Sequence, residues 1–188
     1  MRRHLIALPA LALLAGCGLL AAEVEIPSIT ITLKQQAFTG TPAGAPLVKE
    51  ISFDVGANVP FTDDPNISYE LRLTQMMVAI STGSAMGDFG DIESVTLSVL
   101  PPAGQTLPEE TIVASYVKAP PPADQSPNSI AVAGMASLDL APYIASGTLT
   151  MKLQAVSLTG SAIPDWTADV SGVFYLKARA NYGNLLTK

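Results

Sequence analysis

Short runs in which apolar and polar residues alternate recur along most of this 188-residue chain, and they limit its fold more than any other feature. A period of two places successive side chains on opposite faces of a half-buried strand. Runs of this kind start at Ser28, Leu47, Tyr69, Val95 and Thr111. Gly- and Pro-rich turns separate about eight strand-like segments, and no amphipathic helix of useful length appears. The pattern predicts an all-β fold, an antiparallel β-sandwich of the immunoglobulin-like or jelly-roll type, with a closed barrel as the alternative.

Three departures from simple alternation carry their own predictions. The run that starts at Tyr69 slips at residues 75–77, which is typical of a β-bulge or of a strand that moves into a buried position. Residues 137–144 lack a period of two and predict a single helical turn. The last third of the chain predicts one long hairpin that turns around residues 160–165. Its two inward rows are Leu149, Met151, Leu153 and Ala155, followed by Trp166, Ala168, Val170, Gly172, Phe174, Leu176 and Ala178.

The amino-terminal segment has the three parts of an export signal. Arg2 and Arg3 supply the positive start, and residues 5–14 form the apolar part. That part is about half as long as a membrane-spanning helix requires. Two small residues at positions 15–16 precede Cys17, the single cysteine. The chain is therefore predicted to be exported.

The motif Leu14-Ala15-Gly16-Cys17 closely resembles the lipobox of bacterial lipoproteins. The resemblance implies that the signal is cleaved before Cys17, that the cysteine sulfur takes a diacylglyceryl group, and that the new amino terminus is acylated. In enterobacterial lipoproteins an aspartate at the next position retains the protein at the inner membrane. Gly18 stands there in this chain, so the resemblance favours the outer membrane. The alternative is an ordinary secretory signal followed by a free or structural cysteine.

This interpretation divides the chain into a signal peptide at residues 1–16, a lipidated amino terminus and tether at residues 17–27, and a β-sandwich domain at residues 28–188. Each buried methylene of a lipid contributes about 0.8 kcal/mol, and one acyl chain gives only marginal membrane binding. Several chains on one residue hold a domain durably without any apolar protein surface. The membrane is thus the predicted partner through lipid on Cys17.

Residue counts exclude several classes of function. The single histidine, His4, leaves with the signal, and the single thiol, at Cys17, is lipidated on this interpretation. That excludes nucleophile systems built on histidine, and the usual zinc, copper and haem sites. Removal of Arg2 and Arg3 from the ten basic residues leaves eight, against sixteen acidic residues. Such an acidic domain has no electrostatic footprint for nucleic acid.

The densest group of carboxylates lies on a Gly-rich loop at residues 87–93. Asp88, Asp91 and Glu93 could supply oxygen ligands to calcium, which takes about six to eight of them. Their spacing matches no EF-hand. A turn whose aspartates hydrogen-bond to their own backbone is the favoured interpretation. Calcium is the only cofactor that the sequence suggests.

The pair Asp165-Trp166 follows the predicted turn of the last hairpin. An exposed tryptophan beside a carboxylate can stack on a sugar ring, and aromatic residues are enriched at binding hot spots. The competing interpretation places Trp166 in the core. We favour the core, because the residue fits the inward row of the strand that it begins.

These observations predict a lipid-anchored, non-catalytic envelope module that binds an envelope protein or a glycan. The sequence contains no P-loop, no dinucleotide fingerprint and no G-x-S-x-G elbow. Two alternatives stay open: a glycan-cleaving enzyme that uses carboxylates alone, and a calcium-dependent adhesion module.

Overall fold

The computed structural model describes residues 21–59, 61–62, 64–119, 127–158 and 161–181, so Cys17 and the predicted signal peptide lie outside the described residues. The described residues form β1 (Ala21–Phe38), β2 (Leu47–Asp54), β3 (Ile67–Ile80), β4 (Ile92–Val99), β5 (Thr111–Val117), β6 (Ser129–Ala133), β7 (Ile144–Ala145), β8 (Thr148–Ser157) and β9 (Trp166–Asn181). A 3-10 helix at Ala141–Tyr143 lies where the sequence predicts a helical turn. Within these ranges, no helix combines the length and the apolar character that crossing a membrane would take.

The strands form two antiparallel sheets around one hydrophobic core. The first sheet has the order β1-β9-β3-β6, and the second has the order β2-β8-β4-β5. The two-residue β7 adds a short pairing at the start of β8. Most partners are distant in sequence: Ala21 lies opposite Asn181, and Leu47 lies opposite Ala155.

These pairings describe one long hairpin rolled into two layers. β4 pairs with β5 at its tip, and towards its base β3 pairs with β6, β2 with β8, and β1 with β9. Successive pairs fall in opposite sheets, so the hairpin winds around the core. This winding is the jelly roll, an eight-stranded sandwich made of two Greek keys. The predicted all-β sandwich is confirmed, and its topology is the jelly roll and not the immunoglobulin-like type.

The hairpin predicted for the last third of the chain is wrong. β8 lies in the second sheet between β2 and β4, whereas β9 lies in the first sheet between β1 and β3. The inward rows are nevertheless correct, since Leu149 and Met151 of β8 and Val170 and Phe174 of β9 are buried. Alternation identifies the side chains that point inward. It does not show whether two strands pair edge to edge in one sheet or face each other across the core from two sheets.

Aromatic side chains connect the two sheets. Phe53 of β2 meets Phe174 of β9 edge to face, with ring centroids 5.6 Å apart. Gly172 leaves the space for this contact, because a Cβ there would lie 2.7 Å from the Phe174 ring and 3.3 Å from the Phe53 ring. The glycine in the inward row of β9 is therefore a packing requirement.

β1 begins at Ala21, seven residues before the start that the sequence predicts. The described part of the expected tether is strand, and it pairs with the last residues of β9 up to Asn181. The register shifts between Ile26 and Ile29, on either side of Pro27. A proline cannot donate a ladder hydrogen bond, and a bulge absorbs that loss. Because of Pro27, the sequence pattern does not reveal that the strand begins before it.

Two other bulges adjust the first sheet. The register of β3 shifts between Leu73 and Gln75, which confirms the predicted slip. In β1, Gln35 has a φ of 50°, and its N–H donates to Asp169 Oδ1 at 2.9 Å. Lys34 Nζ lies 2.9 Å from the other oxygen of Asp169. The hydrogen bond from the Gln35 backbone, followed by that from Lys34, holds the pKa of Asp169 below its ordinary value.

Candidate functional site

The antiparallel strands place their connections at two opposite ends of the sandwich. The loop end comprises residues 39–46, 81–91, 118–128 and 158–165, where these are described. The terminal end comprises Ala21, Asn181 and the connections at residues 55–66, 100–110 and 134–147. Both groups of candidate residues from the sequence lie at or beside the loop end, although some seventy residues separate them along the chain.

Backbone hydrogen bonds join the connections of the loop end. Thr41 and Ile163 exchange two N–H to carbonyl bonds, of 2.8 and 2.9 Å. The N–H of Leu158 donates to the carbonyl of Asp91 at 2.8 Å. The connection between β8 and β9 is therefore bonded both to the connection between β1 and β2 and to the acidic loop.

Trp166 belongs to the core. Only 4% of its surface is exposed. Phe38 stacks on the indole with ring centroids 4.1 Å apart and an interplanar angle of 14°, and Phe89 meets it edge-on at 5.6 Å. The use of Trp166 as a platform for a sugar ring does not agree with this burial, because no ring face is open to a ligand. Phe89 comes from the acidic loop, so the loop is held by its own aromatic residue.

The indole Nε1–H of Trp166 is buried and has no hydrogen-bond acceptor in the protein. Among the described residues, every other buried side-chain nitrogen or oxygen has a hydrogen-bond partner. An unpaired buried donor costs about 1–3 kcal/mol. Trp166 also lines a surface depression of about 350 Å³ with Phe38, Ser84, Ala85 and Asp165. The stacked indole thus presents an N–H without a protein acceptor beside this depression.

Asp165 holds two connections together. Its Oδ1 accepts the backbone N–H of Gly40 at 2.6 Å. A Cβ on Gly40 would lie 2.4 Å from the carbonyl oxygen of Ile163, so only glycine allows this approach. The exposed carboxylate predicted to act beside Trp166 therefore has a structural hydrogen bond in the loop end.

The acidic loop has the hydrogen bonds of a turn. Asp88 Oδ1 accepts the N–H of Gly90 at 2.6 Å, and Asp91 Oδ1 accepts from the Ser161 hydroxyl at 3.4 Å. Glu93 is exposed at the second position of β4. In the described part of the chain, no group of three or more acidic, cysteine or histidine side chains is placed to hold a metal ion. The carboxylates predicted as calcium ligands therefore do not converge as a set of three.

A second depression, of about 280 Å³, lies between the acidic loop and the connection between β8 and β9. Asp88 and Asp91 line it on one side, and Ile163 and Pro164 line it on the other. It shares Ala85 with the depression beside Trp166. Sequence inspection did not single out Ala85, because the Gly-rich composition around it predicts a turn and says nothing about which segment the turn will contact.

A ladder of ion pairs lies on the outer face of the first sheet at the terminal end. Lys177 Nζ lies 2.5 Å from Glu23 and 2.8 Å from Glu25, and Arg179 Nε lies 2.8 Å from Glu23. The hydrogen bond from Lys177 is the main cause that holds the pKa of both glutamates below the ordinary value. The same bonds, first that to Glu23, raise the pKa of Lys177. The ladder joins the first residues of β1 to the last residues of β9.

Strand order and burial define this chain as a jelly-roll β-sandwich. No protein-family model matches the sequence, and no curated protein matches it significantly. Among solved structures, it is similar to a mutant of the unassembled Washington University polyomavirus VP1 pentamer, with 10% identity and a TM-score of 0.31, over 89% of this chain and 99% of that chain. It is also similar to infectious bursal disease virus, Gx strain, with 9% identity and a TM-score of 0.24, over 93% of this chain and 41% of that chain. The fold assignment stands on the strand order alone.

Proposed function

We propose that this protein is a bacterial envelope lipoprotein whose jelly-roll domain is a non-catalytic binding or structural module, anchored through lipid on Cys17. The observation that carries the proposal is the position of the lipobox-like motif relative to the fold. Cys17 precedes Ala21, the first described residue of β1, by four positions. A peptidase that cuts before Cys17 would therefore remove no residue of the described sheets.

The loop end supports a binding role better than a catalytic one. The carboxylates of Asp88, Asp91 and Asp165 accept hydrogen bonds that hold the connections in place. The chain from Cys17 onward has no histidine, so acid–base chemistry at the loop end would fall mainly to carboxylates, and these three already have structural partners. The two depressions that meet at Ala85 are the surface on which we expect an envelope protein or a glycan to bind.

Cys17→Ser tests the anchor. The parent chain should enter the membrane fraction of its host, incorporate radiolabelled palmitate and partition into detergent, whereas Cys17→Ser should be released in soluble form. A matched control is Ser28→Cys in the Cys17→Ser background, since Ser28 is exposed in β1. This control restores a thiol outside the motif, and it should restore neither labelling nor attachment.

Two results would overturn the proposal. Membrane fractionation of Cys17→Ser equal to that of the parent would remove the anchor. A turnover of cell-wall glycans that is lost when two specific carboxylates are replaced would instead make the protein an enzyme.

A further inference from the structure

We infer that the terminal end of the sandwich rests against the surface of the bilayer and that the loop end is held about 50 Å away from it. This inference rests on the proposed lipid anchor at Cys17. The terminal end thus contacts the lipid surface itself. The partner-binding surface around Ala85 then faces away from the anchoring membrane.

The first argument is the length of chain between the anchor and the fold. Four residue steps separate Cys17 from Ala21, and a fully extended chain spans at most about 3.3–3.6 Å per residue. The reach is therefore at most about 14 Å. Ala21 already pairs with Asn181 at the end of the described part of the first sheet, so the chain from Ala21 onward supplies no further slack.

The second argument is the attachment of that first strand segment to the sheet. Glu23 and Glu25 of β1 bind Lys177 and Arg179 of β9 across the outer face. Exposed ion pairs are individually weak, but here they reinforce a continuous ladder of strand pairing. The segment next to the anchor therefore stays on the sheet and does not lengthen the tether.

The third argument is the direction of the strands. β9 runs from Trp166 at the loop end to Asn181 at the terminal end, beside the start of β1. At about 3.3 Å per residue, its sixteen residues span about 50 Å. The reach of the tether is much shorter than this length, so the anchored sandwich cannot stand on its loop end with the terminal end away from the same bilayer.

The charges at the terminal end agree with an attachment by lipid alone. Its three connections, residues 55–66, 100–110 and 134–147, contain no lysine or arginine. A basic patch would add attraction to anionic headgroups, and these connections lack one. The basic Lys177 and Arg179 of this end are already paired with Glu23 and Glu25, so the contact with the bilayer is set by the short tether.

Energy transfer from single labels to the membrane tests the orientation. The full lipidated chain is reconstituted in phosphatidylcholine vesicles that carry a headgroup-attached acceptor dye. Cys17 is the only native cysteine, so an added cysteine is the single free thiol after lipidation. Ala57→Cys and Ala103→Cys place the donor dye at exposed positions of the terminal end, and Ala43→Cys and Ala162→Cys place it at exposed positions of the loop end.

We expect strong energy transfer to the membrane dye from both labels of the terminal end. Transfer from both labels of the loop end should be much weaker. Insertion of about 12 Gly/Ser residues between Leu19 and Leu20 adds on the order of 20 Å of root-mean-square reach and should reduce the difference between the two ends. Equal or reversed transfer from vesicle-bound chains overturns the orientation and leaves the anchor intact. Failure of the chain to bind vesicles overturns the anchor itself, so the two failures are distinguishable.

Discussion

Phe38 and Trp166 lie directly opposite each other where β1 ends and β9 begins, and their rings stack 4.1 Å apart between centroids. The pair closes the first sheet at the loop end. Phe89 then attaches the acidic loop to the same indole. The connections that form the proposed binding surface are therefore fixed to one aromatic cluster: Phe38, Phe89 and Trp166.

Replacement of Trp166 by alanine should lower the free energy of unfolding by about 3–5 kcal/mol, the range for large aromatic side chains in cores. Trp166→Phe should cost less, because it keeps a stacking ring and removes the unpaired Nε1–H. Met77→Ala, at an exposed position of β3, is the control and should stay within about 0.5 kcal/mol of the parent. Urea denaturation measures all three. Equal costs for the alanine and phenylalanine variants would contradict the role of the stack.

Gly40→Ala should destabilise the loop end by about 1–3 kcal/mol, as overpacking does elsewhere. The new Cβ would lie 2.4 Å from the carbonyl oxygen of Ile163 and would disturb the hydrogen bond to Asp165. Gly87→Ala is the matched control, since no atom lies within 4 Å of a Cβ there. Thermal melting compares the two variants. A Gly40→Ala protein as stable as Gly87→Ala would show that the two connections do not approach each other in this way.

Variants of Asp88 distinguish a structural turn from a calcium site. Asparagine can accept the same hydrogen bond from the Gly90 N–H, so Asp88→Asn should melt like the parent. Asp88→Ala should lose about 0.5–1.5 kcal/mol. Each variant is melted with calcium and with a chelator, and we expect no difference between the two conditions. A calcium-dependent rise in the parent that Asp88→Asn abolishes would make Asp88 a metal ligand, since binding to the folded state raises its stability.

The ion-pair ladder predicts a loss of stability in acid. The pKa values of Glu23 and Glu25 lie below the ordinary glutamate value of 4.5, so their contribution is present above that value and disappears as the pH falls through the folded-state pKa. Lys177 has a pKa raised above 10.5, so its contribution is present below that value and disappears as the pH rises through its folded-state pKa. Stability from the ladder should therefore be flat near neutral pH.

Thermal melting across the acidic range checks this prediction. The double variant Glu23→Gln with Glu25→Gln should lose less stability than the parent between neutral pH and about pH 3. High salt should reduce the difference, because salt screens exposed charges. Identical acid dependence in the parent and the double variant at low salt would refute the ladder. Loss of pairing at Glu23 would also loosen the start of β1 next to the proposed anchor.

Local sequence pattern was enough for the identity of most strands. Alternation predicts the starts of β2 at Leu47 and β5 at Thr111 and the inward rows of β8 and β9, because side-chain direction in a strand depends only on the parity of the position. The bulge between Leu73 and Gln75 is likewise visible, one position later, as a break in that parity. The start of β1 is predicted too late because Pro27 interrupts the alternating run, and a proline usually marks the end of a strand. The sheet accepts Pro27 because it lies at a bulge in an edge strand.

The sequence by itself determined that this chain is a β-sandwich with an acidic, histidine-free domain behind a lipobox-like motif. Only the tertiary structure decided that β8 and β9 lie in different sheets and that Trp166 stacks on Phe38. It also brought Asp165 to Gly40 and placed Ala21 at the end opposite the acidic loop. The reason is physical: alternation follows from the geometry of one strand, whereas strand partners are chosen by contacts between segments far apart in sequence, which no local pattern encodes.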